Sequence, residues 1–164
     1  MSIERSAPLL GALLVVLASC GQTAPATVDR EQPALDVVAC ARGAASCVRG
    51  PGVVAVESFL PGSDHAVLIP AGDSLEAPLL RPSPTAKLVH LVVAVNARGD
   101  SAQRHTLRVT VSGMAPVDVE PVAGLTRTEV AELGRVPPVG ATLKLEAVAG
   151  DGFEIVYVVG RWND

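Results

Sequence analysis

The sequence predicts an all-β fold, an antiparallel β-sandwich of about eight strands. Valine clusters in short runs, and β-branched side chains favour strands because they suit a pleated, half-buried surface. The 13 prolines and 15 glycines interrupt those runs at short intervals, which is typical of a chain with many turns. The aromatic residues are two phenylalanines, one tyrosine and one tryptophan, so the core must be built mainly from aliphatic side chains.

Eight apolar runs are candidate strands, and turn-forming residues separate them. Alternation supports the assignment, since Leu107, Val109 and Val111 would share one face of a half-buried strand. Residues 150–152 (Gly-Asp-Gly) predict a tight hairpin between the last two strands. The candidate strands are 53–59, 66–69, 74–80, 87–96, 105–112, 117–122, 141–149 and 153–161.

Residues 126–133 have two interpretations. Thr126 and Glu129 have the spacing of a capping box, and Gly134 could end a short helix. The same segment could equally form an edge strand.

Size and charge limit the number of domains and the kinds of partner. The chain has 164 residues, enough for one domain with a hydrophobic core and too few to expect two. Its formal charge is −4. An acidic chain lacks the basic surface expected of a nucleic-acid binder and the polybasic run that would bind anionic lipids. The three histidines are scattered and make no metal signature, so neither a metal nor a cofactor is expected.

The N-terminus has the pattern of a signal peptide. Residues 1–6 are polar, with Arg5 as the positive charge, and residues 7–18 are apolar. Twelve apolar residues are too few to span a bilayer core of about 30 Å at roughly 1.5 Å per residue. This length suits the apolar middle of a signal peptide, so we expect residues 1–19 to be removed.

The signal peptide leads into Leu17-Ala18-Ser19-Cys20. This run resembles the lipobox of bacterial lipoproteins, in which small residues fit the processing site and the cysteine thiol accepts a diacylglyceryl group. The resemblance implies cleavage before Cys20, a palmitate-type lipid on its sulfur and, often, acylation of the new N-terminus. Gly21, where Asp is absent, implies outer-membrane sorting in a diderm host. The alternative is an ordinary secretory signal with a chance cysteine near its cleavage site.

Residues 20–34 begin at the lipidated cysteine and are expected to form a disordered tether. They are polar, contain two prolines and show no apolar period. A single domain would then occupy residues 35–164.

Cys40 and Cys47 are the two cysteines that remain once Cys20 carries a lipid. In an oxidising compartment such a pair predicts a disulfide. Zinc binding is less favoured because no histidine lies near and the spacing fits no common zinc pattern. A redox role is also less favoured because the spacing is not Cys-x-x-Cys.

A motif near the C-terminus consists of residues 142–145 (Thr-Leu-Lys-Leu) and 150–157 (Gly-Asp-Gly-Phe-Glu-Ile-Val-Tyr). With this motif, residues 87–162 resemble the jelly-roll of galactose-binding-like, carbohydrate-binding modules. The resemblance implies a jelly-roll-like sandwich and, as an alternative function, carbohydrate binding. The chain departs from the family pattern at Glu154, where sugar-binding members often have an amide. It also has few aromatic faces on which sugar rings could stack.

Part of one sheet face is predicted to be apolar on its outer side. Val156, Val158, Leu88 and Val92 alternate with residues expected in the core. If their strands adjoin, this outer face needs cover. Residues 35–38 or a loop could supply the cover. The other hypothesis is a surface for a protein partner or for a second copy of the chain.

These observations predict a lipid-anchored lipoprotein of the bacterial cell envelope with a non-enzymatic binding or structural domain. Its expected contacts are the membrane, through Cys20, and another envelope protein or, alternatively, a glycan. Residues 63–65 (Ser-Asp-His) have the residue types of a catalytic triad. Neighbours in sequence rarely orient as nucleophile and base, so a turn is the better interpretation and no enzyme activity is expected.

Overall fold

Two antiparallel sheets pack face to face in the computed structural model, which describes residues 30–58, 65–130 and 135–163. The predicted all-β sandwich is therefore confirmed, and within those ranges it has more strands than the eight expected. The strands are β1 (Arg30–Leu35), β2 (Val48–Arg49), β3 (Val54–Val56), β4 (Ala66–Pro70), β5 (Ser74–Pro78), β6 (Lys87–Ala97), β7 (Thr106–Val111), β8 (Val117–Val119), β9 (Gly124–Val130), β10 (Thr142–Ala149) and β11 (Gly152–Asn163). One helix, α1 (Val37–Ala41), lies between β1 and β2.

The first sheet has the strand order β3-β4-β11-β6-β9, and β1 also pairs with β11. The second sheet has the order β2-β5-β10-β7-β8. Neighbouring strands run antiparallel in both sheets. Consecutive strands such as β4 and β5 lie in different sheets, so the chain crosses repeatedly between the two layers.

The turn at residues 150–152 joins the two sheets, and the predicted hairpin is wrong. β10 pairs with β5 and β7, whereas β11 pairs with β4, β6 and β1. Gly150 and Gly152 have φ values of 99° and 114°, which side chains rarely adopt. Glycines specify a tight reversal of the chain, but they do not specify whether the flanking strands hydrogen-bond to each other.

The core lies between the two sheets and is mainly aliphatic. The predicted alternation in β7 is confirmed, because Leu107, Val109 and Val111 are buried while Arg108 and Thr110 are half-buried. Phe153 is fully buried at the start of β11, and Trp162 is buried near its end. The two large aromatic side chains therefore pack inside the sandwich.

The helical interpretation of residues 126–133 is wrong for residues 126–130. They belong to β9, which pairs with β6 from Asn96↔Leu125 to Leu91↔Val130. Residues 131–134 lie outside the described part of the chain. The capping-box spacing is a local preference, and backbone pairing with β6 at the edge of the sheet outweighs it.

The predicted tether extends too far along the chain. Residues 30–34, which we assigned to it, lie in β1, and Arg30 pairs with Trp162 while Leu35 pairs with Val158. This strand is held by backbone hydrogen bonds to β11, which do not require an apolar period. Its polar sequence therefore does not predict a strand. Pro33 is tolerated because β1 lies at the edge of the sheet, where a missing N–H leaves no partner strand unpaired.

The predicted disulfide between Cys40 and Cys47 is confirmed. It links Cys40 in α1 to Cys47 in the turn that follows the helix. The N-cap of this five-residue helix, Asp36, accepts a hydrogen bond from the Ala39 N–H at 2.8 Å. The disulfide therefore fixes a short connection that passes from β1 of the first sheet to β2 of the second.

No helix within the three described ranges is long and apolar enough to cross a bilayer.

Replacing both Cys40 and Cys47 with serine should lower the free energy of unfolding by roughly 2.5 kcal/mol, the chain-entropy estimate for a closed loop of this length. Denaturant unfolding followed by circular dichroism measures the difference. A reductant should destabilise the wild-type protein by a similar amount and leave the double variant unchanged. Equal stability of the oxidised wild type and the variant would contradict a stabilising bridge.

Candidate functional site

An open seam interrupts the edge of β11. β4 pairs with residues 152–155 of β11, and β1 pairs with residues 158–162 along the same edge. Between them, residues 156 and 157 have no described strand partner on that side. A β-bulge lies at this point, because Ile155 and Tyr157 pair with the consecutive residues Val95 and Ala94 of β6. The chain of β1 leaves the sheet here and turns into α1.

A groove of about 490 Å³ opens at this seam. Its volume is in the range of small-ligand sites. Val156 and its neighbours form one side, and the start of α1 forms another. Val38 and Leu80 are more than a third exposed, so they form an accessible apolar rim. The lining residues are Pro33, Leu35, Asp36, Val37, Val38, Leu80, Val156, Tyr157, Val158 and Val159.

The polar groups of the groove have limited chemical use. The carboxylate of Asp36 caps α1 through the Ala39 N–H. The phenol of Tyr157 belongs to a half-buried side chain. The groove is otherwise lined by aliphatic side chains and a proline, so it suits an apolar group.

The proposed partner surface needs correction. Val156, Val158, Leu88 and Val92 are 3%, 1%, 0% and 1% exposed, respectively, so they do not form an exposed patch. Val158 and Leu88 belong to the main core. For these two residues the physical reason is a pair of bulges between β11 and β6, one at residues 155–157 and one at 161–162, each of which shifts the alternation by one residue.

The cover that the sequence suggested for this region is present. Leu35 and Val37, from the 35–38 segment, line the groove together with Val156 and Val158. Both of these covering side chains are themselves buried. Residues 35–38 therefore cover part of this region and leave the groove as the accessible remainder.

A polar cluster lies on the outer side of the first sheet, near the start of β11. Glu154 is 2% exposed, and its Oε2 accepts hydrogen bonds from Asn96 Nδ2 at 3.2 Å and Arg98 Nη2 at 3.3 Å. Its Oε1 is buried without a hydrogen-bond partner in the described part of the chain. Arg98 is half exposed, so this ion pair joins a buried carboxylate to solvent. Sequence analysis noted Glu154 as a departure from the family pattern but missed its two partners.

The loop after β6 meets the turn before β11 beside this cluster. Gln103 Nε2 donates to Asp151 Oδ1 at 3.3 Å. His105 is buried beneath the loop, with Nε2 3.1 Å from the carbonyl oxygen of Asp100. A Cβ at Gly150 would lie 2.5 Å from Nδ1 of His105, so glycine is required at this position. The glycine and the histidine together pack the two loops closely at this end of the sandwich.

The outer face of the second sheet is polar. Arg108 donates to both carboxylate oxygens of Asp118, at 2.7 and 2.9 Å. This hydrogen bonding, followed by the charge attraction, lowers the pKa of Asp118 below its usual range. The lowered pKa of Asp118 stabilises the fold at pH values above the ordinary carboxyl pKa. This stabilisation is lost as the pH falls through the lowered pKa. Because both side chains are well exposed, the pair is part of a solvated surface.

Several predicted residues do not enter either site. Cys20, Ser63 and Asp64 lie outside the described residues. In the described ranges, no group of three or more His, Cys, Asp or Glu side chains is placed to hold a metal ion. The disulfide lies near the groove, because Cys40 is the fourth residue of α1 and Val37, the first residue of that helix, lines the groove.

Solved structures share the fold of this chain at low sequence identity. The carbohydrate-binding module TmCBM61, solved with β-1,4-galactotriose, has a TM-score of 0.50 at 17% identity, covering 79% of this chain and 99% of that one. An exo-β-1,3-galactanase from Phanerochaete chrysosporium, solved with galactose, has a TM-score of 0.53 at 16% identity, covering 81% of this chain and 29% of the enzyme. The mosquito-larvicidal Cry4Aa toxin from Bacillus thuringiensis has a TM-score of 0.53 at 10% identity, covering 72% of this chain and 23% of the toxin.

These similarities define the chain as a β-sandwich with the fold found in carbohydrate-binding modules. No protein-family model matches the chain, and no curated protein matches its sequence. The fold is also present in the toxin, so it is shared by proteins of different function.

Arg98→Ala should lower the free energy of unfolding by about 1–3 kcal/mol, because the buried carboxylate of Glu154 then loses its cation. Adding Glu154→Gln should recover part of this loss, since a neutral amide is less costly to bury. Arg108→Ala, at the exposed ion pair with Asp118, is the matched control and should have a much smaller effect. Denaturant unfolding of the four proteins provides the comparison. Equal losses for the two arginine variants would argue against a special role for the buried carboxylate.

Proposed function

We propose that the protein is a lipid-anchored lipoprotein of the bacterial cell envelope, with a β-sandwich that acts as a non-catalytic binding module. The lipobox resemblance at Leu17-Ala18-Ser19-Cys20 supports the anchor. The disulfide between Cys40 and Cys47 supports an oxidising, extracytoplasmic compartment. In a diderm host, Gly21 after the lipidated cysteine favours the outer membrane.

The apolar groove is the observation that carries the binding role. Its aliphatic lining offers burial to an apolar group, and its carboxylate is already used as a helix cap. Acid–base catalysis takes titratable groups that converge on a reacting atom, whereas this lining contributes one capped carboxylate and one phenol. Recognition by burial of apolar surface is therefore the chemistry that the groove favours.

The anchor would hold the domain close to the membrane. Since β1 begins at Arg30, ten residue-to-residue steps separate the described domain from Cys20. Fully extended, they reach roughly 33 Å. The binding module would thus operate within a short distance of the bilayer surface.

An envelope protein is the first candidate partner. The four residues first assigned to a partner surface are buried, so a partner would contact the groove rim instead. Val38 and Leu80 are 37% and 40% exposed there, beside the half-buried Tyr157. An accessible apolar rim around a groove is typical of a protein contact site.

A glycan is the second candidate, favoured by the polar cluster at Glu154. The neighbour TmCBM61 was solved with β-1,4-galactotriose, and the galactanase with galactose. The half-exposed Arg98 can donate to sugar hydroxyls, while the buried carboxylate of Glu154 would hold its guanidinium in place. Phe153 and Trp162 are buried, so binding here would depend on hydrogen bonds more than on stacking.

Cys20→Ala should abolish incorporation of labelled palmitate and release the protein from the membrane fraction, because the variant lacks the thiol that accepts the lipid. Metabolic labelling followed by membrane fractionation tests both effects. The Cys40→Ser/Cys47→Ser variant is the matched control, and it should retain the label and the membrane association. Retention of label by the Cys20 variant would rule out this residue as the anchor.

One variant at the groove rim, Val38→Asp, and one in the polar cluster, Arg98→Ala, distinguish a protein partner from a glycan. Val38→Asp should prevent capture of an envelope protein in a pull-down from envelope extracts, since a charge on the rim opposes apolar contact. Val148→Asp, at an exposed position on β10, should capture it as the wild type does. On a glycan array run in parallel, specific binding that is lost with Arg98→Ala and kept with Val38→Asp would instead support the carbohydrate function.

A further inference from the structure

We propose that the groove between α1 and β11 holds one fatty acyl chain of the lipid attached to Cys20 in the same molecule. This inference rests on the proposed lipid anchor and names the occupant of the groove. The groove would shelter one chain whenever the lipidated protein is outside a bilayer.

The chemistry of the groove suits an alkyl chain. The sides are formed by Leu35, Val37 and Val38 of the β1–α1 connection and by Val156 and Val159 of β11. An alkyl chain carries no hydrogen-bonding groups, so it would leave none unpaired on burial. The groove lies at the gap between the ends of β4 and β1 along the edge of β11.

The position of the groove is within reach of Cys20. Pro33 and Leu35 both line the groove, so the groove begins about 10 Å along β1 from its first residue, Arg30. The ten residue-to-residue steps from Cys20 to Arg30 can span roughly 33 Å. The connection is therefore long enough to fold back to the groove, and closing so short a loop costs little entropy.

The number of acyl chains on Cys20 leaves one chain available to bind in the groove. The lipobox resemblance implies a diacylglyceryl group on Cys20 and, as is often the case in that family, an acyl group on its amine. This is one chain more than the two that stable membrane attachment takes. A bilayer core is more apolar than this open groove, so the third chain would stay in the bilayer when one is present. Outside a bilayer, the groove is an apolar site that this chain can enter.

Photo-crosslinking of the full-length lipidated protein tests the proposal. Cells are fed a 16-carbon fatty acid with a terminal diazirine, and the mature protein is purified, transferred to vesicle-free buffer and irradiated. We expect crosslinks from Cys20 to peptides that contain Val37–Ala41 or residues 156–159, mapped by mass spectrometry. A mixture of isotopically light and heavy protein should show that these crosslinks form within one molecule. Added phospholipid vesicles should compete with them.

A matched pair of variants controls for specificity. Val38→Trp places a bulky side chain on the groove rim and should cause loss of the groove crosslinks. Val148→Trp adds the same side chain at an exposed position on β10 and should keep them. Unchanged thermal unfolding midpoints for both variants would show that the fold is intact.

The outcomes separate this inference from the proposed anchor. No diazirine label on Cys20 would overturn the lipid anchor and, with it, the present inference. Label on Cys20 with crosslinks spread over the surface, or only between molecules, would leave the anchor standing and overturn the groove assignment. Label together with a crosslinked envelope protein in the groove would assign the groove to that protein and overturn the acyl-chain proposal.

Discussion

The backbone pairing of β11 is the constraint on which the rest of the structure depends. This strand hydrogen-bonds to β6 along one edge and to β4 and β1, end to end, along the other. Backbone N–H and C=O groups are costly to bury unpaired, so the registers of these pairings restrict one another. The bulge between Ile155 and Tyr157 and the seam beside it both lie where these registers meet. The apolar groove therefore depends on strand pairing, which leaves the gap that α1 and Leu80 border.

The same strand also serves three different environments along its length. Phe153 and Ile155 point into the core, and Glu154 between them lies on the outer side with Arg98 and Asn96. Beyond the bulge, Val158 and Trp162 return to the core. One strand thus links the polar cluster at the loop end to the apolar groove halfway along the sheet edge, and a change in its register would alter both.

Local sequence patterns predicted the features of the structure that depend on residues close together in the chain. The alternation from Leu107 to Val111 gave the faces of β7 correctly, and the cysteine count gave the disulfide. The bulge at Val156 depends on the register of partner strands, so alternation assigned the wrong face to Val158. β1 escaped detection because its polar residues and Pro33 show no apolar period. The Glu154 cluster also escaped, because Asn96 and Arg98 are 58 and 56 residues away in sequence.

The placement of β1 has a mechanical consequence. Its first residue, Arg30, pairs with Trp162 near the far end of β11, and the strand runs inward from there to Leu35. In an antiparallel pair the interstrand hydrogen bonds lie perpendicular to the strands. A tension applied at Arg30 along the strand would shear these bonds together, whereas a sideways force would peel them apart one by one. A domain held by its N-terminus is therefore loaded, when pulled lengthwise, in the direction in which its first strand resists most strongly.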